Sequence, residues 1–294
     1  MQLIPAKTII SGYTEGSQWF GNNYNMNIYK GCCHGCIYCD SRSECYQIDR
    51  FDQVRAKDNA LALIAGELER KRRKGVVGTG AMGDPYNPLE REYRLTRGAL
   101  ELIDTNRFGV SIATKSDLVT RDIDVLCSIK THSPVLIKIT ITTANDELCR
   151  KVEPNAPVSS RRFFAMRQLA ASGIFTGVLL MPVLPFIEDN DENIADIVRL
   201  AAEAGARFIY PAFGVTLRQN QREWYYAKLD ERFPGLRRQY VRQFGNAYEC
   251  QSPRAQELWH LFKEECDTRG ILYKMKDIIA AYRDPYSKTQ LSLF

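Results

Sequence analysis

What this 294-residue sequence lacks narrows its class before any motif is read. No stretch approaches the roughly 20 consecutive apolar residues that a membrane-spanning helix needs, so no membrane is expected among its partners. The opening MQLIPAKTII has no basic segment followed by a continuous apolar run, so no export signal is expected. Internal repeats and low-complexity segments are also missing. What remains is an ordinary globular composition, 45% hydrophobic and 26% charged, long enough to bury a full-size core. Nine cysteines at uneven spacing in a chain expected to stay in the cytoplasm argue for reduced thiols and a metal site, not a disulfide framework. The formal net charge is only +5, but basic residues cluster in ERKRRKG (69–75), Arg161 with Arg162, and LRRQYVRQF (236–244). The ordinary reading of each cluster is a solvated helix face; a phosphate-rich partner is compatible with them.

The main organisational signal is alternation. Short β-branched or apolar runs stand at 24–29, 75–79, 109–114, 135–142, 176–181 and 207–213. Between them lie helical patterns at 58–74, opening on Asp58 as a candidate cap, and at 95–106, 121–130, 159–173 and 191–205, the last two closing on glycine. Six strands with five intervening helices imply a parallel sheet with right-handed crossovers. The expected fold class is α/β, a partial (β/α)6 TIM-like barrel over residues 1–213, with an open doubly wound sheet as the competing geometry. From 214 to 294 the rhythm breaks into helices without partner strands, read as a C-terminal helical extension packed on the barrel. Its aromatics, Trp224, Tyr225, Tyr226, Tyr240 and Phe244, fit either the apolar side of docked helices or a base-stacking surface.

The densest chemistry lies in KGCCHGCIYCDS (30–41). Two frames overlap: Cys32, Cys36 and Cys39 read C-x3-C-x2-C, while Cys33, Cys36 and Cys39 read C-x2-C-x2-C. A structural zinc site takes four ligands, commonly as two close pairs. No second pair exists among the remaining cysteines and histidines, although Cys45 or His34 can complete a compact site on paper. A bacterial ferredoxin run needs a further cysteine followed by proline, where this chain has Ser43 and Glu44. The C-x3-C-x2-C frame supplies three thiolates to a four-iron cluster and leaves one iron open, which is what a catalytic centre requires. Following the first predicted strand, the loop falls at the C-terminal face of a barrel, where active sites assemble.

YKGCCHGCIYCD resembles the cluster loop of the radical S-adenosylmethionine superfamily, with Tyr38 in the aromatic slot before the third cysteine. The resemblance implies a [4Fe–4S] cluster on Cys32, Cys36 and Cys39, and S-adenosylmethionine (SAM) chelated by the open iron. It also implies one-electron cleavage of SAM to a 5′-deoxyadenosyl radical, fed by a donor such as flavodoxin or ferredoxin. Over roughly residues 22–213 the chain resembles the spore photoproduct lyase-like branch. On that likeness Tyr38 contacts adenine. The Gly-rich strand end GTGAMGDPYNPLE places Gly80 and Asp84 near the methionine moiety, and Lys115 in ATKSDL meets its carboxylate. In IKITIT, Lys138, Thr140 and Thr142 share one face, and the resemblance assigns cofactor contacts to this strand, at Thr140 and Thr142. Glu153, in VEPNAP, either orders a loop or meets the cofactor, and MPVLPF stiffens a loop over the site. Two departures stand out: the lyase's hydrogen-donor cysteine has no counterpart in Ala81–Asp84, and Asp40 stands where the lyase has tyrosine. Cys250 is a candidate donor from the extension.

The last residues, QLSLF, resemble the short peptide that docks bacterial polymerases and repair proteins on the sliding clamp. Leu293 and Phe294 would be the apolar anchors, with Gln290 and Leu291 beside them. The expectation is therefore a radical SAM enzyme acting on DNA or another nucleic acid. A peptide, protein or RNA substrate is the runner-up, and a non-catalytic metal-binding module is the contrasting class.

Overall fold

The computed structural model describes residues 2–13 and 19–287. Strands β1 (Gln2–Ile4), β2 (Ile10–Gly12), β3 (Tyr24–Met26), β4 (Tyr29–Lys30) and β5 (Arg55–Lys57) come first. Then β6 (Val76–Thr79), β7 (Gly109–Thr114), β8 (Val135–Thr140), β9 (Phe175–Leu180) and β10 (Phe208–Pro211) alternate with helices, and β11 (Gly214–Thr216) and β12 (Glu249–Gln251) follow. The main sheet has the order β10-β9-β8-β7-β6-β3-β2, parallel from β10 to β3, with β2 antiparallel at the edge. A doubly wound sheet reverses its strand order at a switch point. Here six parallel strands follow one another without reversal, which is the topology of a partial (β/α)6 barrel.

The crossovers are α1 (Ala60–Arg70), α2 (Glu90–Tyr93), α3 (Leu95–Thr105), α4 (Ile123–Lys130), α5 (Asp146–Val152), α6 (Ser159–Ala171) and α7 (Asp191–Glu203). Asn145 and Asn190 cap α5 and α7 through their side chains, and Gly173 and Gly205 take positive φ just beyond α6 and α7. Three expectations change. Asp58 is not the cap of α1: Asn59 occupies that position, and the Asp58 carboxylate accepts from the Asn59 amide. The run at 24–29 is two strands, because β4 leaves the barrel to pair with β5 in a small sheet that also contains β1. The helix expected from 121 begins at Ile123, after a 3-10 turn over Asp117–Asp122.

Alternation along the strands builds the barrel interior in layers. In β8, Val135, Ile137 and Ile139 join the helix-side core, which sends Leu136, Lys138 and Thr140 inward. At the bottom, Phe20, Val76, Leu136 and Phe208 form an apolar plug. Above it, Gly80, Ala113 and Thr140 leave room beneath the cysteine loop.

Residues after 213 do not form helices alone, since β11 and β12 pair antiparallel. Helices α8 (Gln221–Arg232) and α9 (Leu236–Phe244) bury Tyr225, Tyr226 and Tyr240 against Cys36, Ile37 and Tyr38. That removes these three tyrosines from any base-stacking surface and makes them the apolar side of docked helices. Helix α10 (Ala255–Arg269) adds Leu258 and Phe262 to the main core. Helix α11 (Met275–Ser287) closes the bottom: Ile278 and Tyr282 pack on Phe20, whose carbonyl accepts from the Tyr282 hydroxyl at 2.5 Å. Among the described residues no helix is long and apolar enough to cross a membrane.

Candidate active site

The cysteine loop springs from β4 and is held by distant backbone. Cys32 N–H donates to Phe51 O at 2.9 Å, Ile37 N–H to Val152 O at 3.0 Å, and Asn155 N–H to His34 O at 3.0 Å. Gln221 Nε2 donates to Tyr38 O at 2.9 Å. Gly31 has φ +86°, and a Cβ there would lie 2.5 Å from Phe51 O, so no other residue fits that turn. The outcome is asymmetric for the four thiols. Cys32, Cys36 and Cys39 line one cavity of about 110 Å³ with His34, Gly80, Asp84 and Lys115, whereas Cys33 does not line it. The Cys33 carbonyl is tied instead to Asn155 Nδ2 at 3.0 Å.

Burial disfavours the thiolates, pushing Cys32 up to about 12 and raising Cys36 and Cys39 as well. Iron binding would replace those protons. Among the described residues no three His, Cys, Asp or Glu side chains converge as they would around a single ion. A four-iron cluster takes one thiolate per iron, so its ligands are spread apart, and three thiols around a cavity with no fourth lining it suit such a centre.

A second cavity of about 490 Å³ adjoins the first, sharing Gly80, Ala113, Lys115 and Thr140, and runs down the barrel. Its upper wall rests on a buried ionic network. Glu153 Oε2 lies 2.6 Å from Arg162 Nη2, with side chains 1% and 0% exposed. The Tyr38 hydroxyl donates to Glu153 Oε1, and Lys115 Nζ stands 3.8 Å from the same oxygen. Burial works against the Glu153 charge, but Arg162 and Lys115 outweigh it and hold its carboxyl below the usual range. Burial likewise opposes the Lys115 charge, and the negative groups around it, the Glu153 carboxylate at 3.8 Å among them, more than offset this and raise its pKa.

The predicted residues divide accordingly. Tyr38, Gly80, Lys115 and Thr140 meet around the larger cavity. Asp84 lines the smaller one with its oxygens occupied: it accepts from Tyr86 N at 2.8 Å, Thr114 Oγ1 at 2.6 Å and Lys115 N at 2.7 Å, and His34 Nδ1 lies 3.5 Å away. It therefore positions the strand end carrying Lys115. Thr142 departs from its expected place. Its hydroxyl donates to buried Glu188 at 2.7 Å, and it lines neither cavity. Glu153 lines neither cavity and is engaged by Tyr38, Lys115 and Arg162. Cys250, on β12 opposite Val215, packs in the cluster with Tyr225 and Tyr240 and lines neither cavity. Gln290, Leu291, Leu293 and Phe294 lie outside the described residues.

Sequence reasoning missed Arg162, grouped with Arg161 as a solvated face, and it passed over Asn22, Asn25 and Ser111. A serine on the inward face of β7, two residues before Ala113, was the one local signal available.

Comparison with known proteins gives this geometry relatives. The Radical SAM superfamily profile matches residues 26–201. An uncharacterized protein of Mycobacterium tuberculosis (strain ATCC 25618 / H37Rv) is 31% identical over 220 residues, 72% of this chain and 64% of that protein. An uncharacterized protein of Methanocaldococcus jannaschii is 34% identical over 179 residues, 60% of this chain and 66% of that protein. The matched region thus spans a little under two thirds of the length of these relatives. Spore photoproduct lyase complexed with dinucleoside spore photoproduct superposes with a TM-score of 0.65 at 14% identity, covering 92% of this chain and 80% of the lyase. The radical S-adenosylmethionine methyltransferase TsrM from Kitasatospora setae gives a TM-score of 0.54 at 12% identity, covering 83% of this chain and 51% of its own. At these identities the likeness to the two enzymes is one of fold.

Proposed function

This chain belongs to the radical SAM superfamily and is an enzyme that uses a [4Fe–4S] cluster and SAM, and from that premise we propose that it acts on DNA or another nucleic acid. Cys32, Cys36 and Cys39 hold the cluster, and Cys33 does not. When bound, the cluster supplies the electron that splits SAM to a 5′-deoxyadenosyl radical. A small iron–sulfur or flavin protein such as ferredoxin or flavodoxin would deliver that electron.

The chain's own residues bind and orient. Lys115, charged and facing both cavities, takes the methionine carboxylate. Gly80, at φ +94° and without a side chain, offers open backbone to the amino group. Thr140 presents a hydroxyl from β8, and the Tyr38 ring walls the adenine side with its phenol fixed on Glu153. Asp84 and Glu153 act by positioning. The apolar plug of Phe20, Val76, Leu136 and Phe208 keeps water from entering below.

The observation that carries the reading is the adjacency of three thiols and a deep cavity whose walls mix aromatic rings with uncharged amides, Tyr13, Trp19, Asn22 and Asn25. Such walls suit a flat polar ring better than an extended peptide. The fold shared with spore photoproduct lyase supports the same class, while the absent cysteine in Ala81–Asp84 argues for a different hydrogen-return route. Repair-like lyase chemistry or base modification both satisfy these constraints.

The test is anaerobic reconstitution of the full chain, followed by reduction with SAM and either single-stranded oligonucleotides or peptides. The reading expects release of 5′-deoxyadenosine to rise with oligonucleotide, and hydrogen from the oligonucleotide to appear in it. Stimulation by peptides alone would overturn it. Docking on a sliding clamp through Gln290–Phe294 rests on sequence. Equal clamp binding with and without Leu293 and Phe294 would remove it.

A further inference from the structure

The bottom of the barrel, opposite the cysteine loop, carries a concave site that shares no residue with the two cavities above. Strands β6, β7 and β8 are neighbours in the sheet, so the turns leading into them open side by side. With the end of α11 these turns enclose a recess of about 760 Å³. The turn before β6 sends in Arg72, Arg73 and Lys74, the turn before β7 sends in Arg107, and α11 adds Arg283. Among the described residues no aspartate or glutamate lines it.

The walls are fixed while the charges are not. The Tyr24 hydroxyl donates to Arg73 O at 2.7 Å, Val76 N–H to Asn23 Oδ1 at 2.9 Å, and the Tyr286 hydroxyl to Lys130 O at 2.8 Å. Gly75 permits the second bond, because a Cβ there would lie 2.5 Å from Asn23 Oδ1. His132, on the same wall, is engaged at both ring nitrogens, by Asp104 and by Ser133. Arg72, Arg73, Lys74 and Arg107 are exposed and make no ion pair among the described residues. Lys74 rests on the Phe108 ring at 4.5 Å, and Arg283 gives one Nη1 bond to Gly21 O at 2.8 Å. By contrast Arg199 and Arg254, also on the surface, each hold two carboxylates. Five permanent cations in one recess equal the formal net charge of the whole chain, +5, so the remaining lysines and arginines balance its 35 acidic residues. A concavity lined by one sign of charge concentrates ions of the other.

We propose that this recess binds a run of phosphates, held by Arg72, Arg73, Lys74, Arg107 and Arg283. Each guanidinium presents a fork of N–H donors that matches two phosphate oxygens at once. Neighbouring strands lie about 4.8 Å apart, so successive turns deliver cations at close intervals. A single anion leaves most of them unanswered; a chain of closely spaced anions answers them together. Sites for small molecules are chiefly apolar with a few polar groups, and this recess inverts that balance. Two sources carry such a chain, the backbone of a nucleic-acid strand and a free polyphosphate. The strand rests on the nucleic-acid reading above; the phosphate site does not, since it lies on the face opposite the cluster.

The deciding measurement is fluorescence anisotropy of the cluster-loaded full chain with a labelled abasic oligonucleotide, which has the phosphodiester backbone and no bases. Inorganic tripolyphosphate is the competitor. Arg72→Glu with Arg107→Glu should weaken binding roughly tenfold or more and make the salt dependence of log affinity shallower by about 1.4, two contacts at about 0.7 each. Arg238→Glu with Arg242→Glu, exposed on α9, makes the same change of net charge and should leave both quantities nearly as they were. Iron content reports whether each variant folds and loads; if the first pair does not load, Arg73→Gln alone carries the comparison. Tripolyphosphate binding that the first pair weakens, with no binding of the abasic strand, keeps the phosphate site and assigns the free polyphosphate. Equal losses in both pairs, or displacement by polyglutamate as readily as by tripolyphosphate, overturn the site. Failure of either phosphate probe to bind overturns it too, and leaves oligonucleotide-stimulated SAM cleavage to be judged on its own.

Discussion

Replacing Glu153 with Gln keeps its shape and removes its charge. Arg162, with its side chain fully buried, then loses a partner at 2.6 Å, and Lys115 loses one at 3.8 Å. Removing one member of a buried pair typically costs about 3–5 kcal/mol, because a desolvated charge is left behind. Arg162 retains hydrogen bonds to Thr140 O at 2.9 Å and Pro157 O at 2.6 Å, which places the expected loss near the lower bound, about 3 kcal/mol. Urea unfolding of the metal-free chain under reducing conditions should show the midpoint falling by roughly 1 M. The double replacement Glu153→Leu with Arg162→Met should recover most of that loss, since it leaves no unpaired charge. The pairing holds the Glu153 carboxyl below its ordinary value of 4.5, so its contribution is present above that pH and fades as pH falls through the lowered value. A Glu153→Gln loss under about 1 kcal/mol, or a double variant no better than the single, would refute the reasoning.

Two buried groups should shape the pH profile in opposite senses. Lys138 titrates near 7 in the fold against 10.5 in the open chain, so the unfolded state holds the extra proton between those values and stability rises with pH there. Glu188 titrates near 8 against 4.5, so the fold holds the extra proton and stability falls from pH 4.5 to 8. Each slope is at most about 1.4 kcal/mol per pH unit. Lys138→Met should flatten the first in urea midpoints taken across pH, and Glu188→Gln the second; unchanged slopes would count against both assignments. After anaerobic reconstitution, Cys33→Ala should retain about four irons per chain and Cys32→Ala should retain few or none, with the opposite order reversing the ligand frame. Gly80→Ala should cost more than about 2 kcal/mol, because φ is +94° and its Cβ would lie 2.0 Å from Ala113 O; a stable, iron-loading variant would contradict that geometry.

What could be read in the sequence was local. The spacing of Cys32, Cys36 and Cys39, the alternation of β7 to β10 with their helices, and Lys115 at a strand end all depend on neighbours within a few residues. Strands of two or three residues, such as β4 and β5, carry too little pattern to be seen, and so the run at 24–29 read as one strand. Arg161 and Arg162 look alike in sequence, yet successive helical residues point about 100° apart. One side chain is 62% exposed and the other 0%. Thr142 shares the parity of Lys138 and Thr140, but β8 ends at Thr140 and the chain turns toward Glu188. The alignment of Asn25, Gly78 and Ser111 across β3, β6 and β7 depends on inter-strand register, which a single sequence does not encode locally.

The backbone bonds that shape the cysteine loop have a consequence for timing. Tyr38 is fastened by Gln221, 183 residues later, and His34 by Asn155. At translation rates of about 5–20 residues per second, the thiols leave the ribosome roughly 10 to 40 seconds before their last clamp is synthesised. Throughout that interval the loop lacks the Gln221 bond, while its tethers to Phe51, Val152 and Asn155 become available in turn. The loop that carries the three thiols therefore reaches its full set of tethers only after the barrel strands up to β10 have been synthesised.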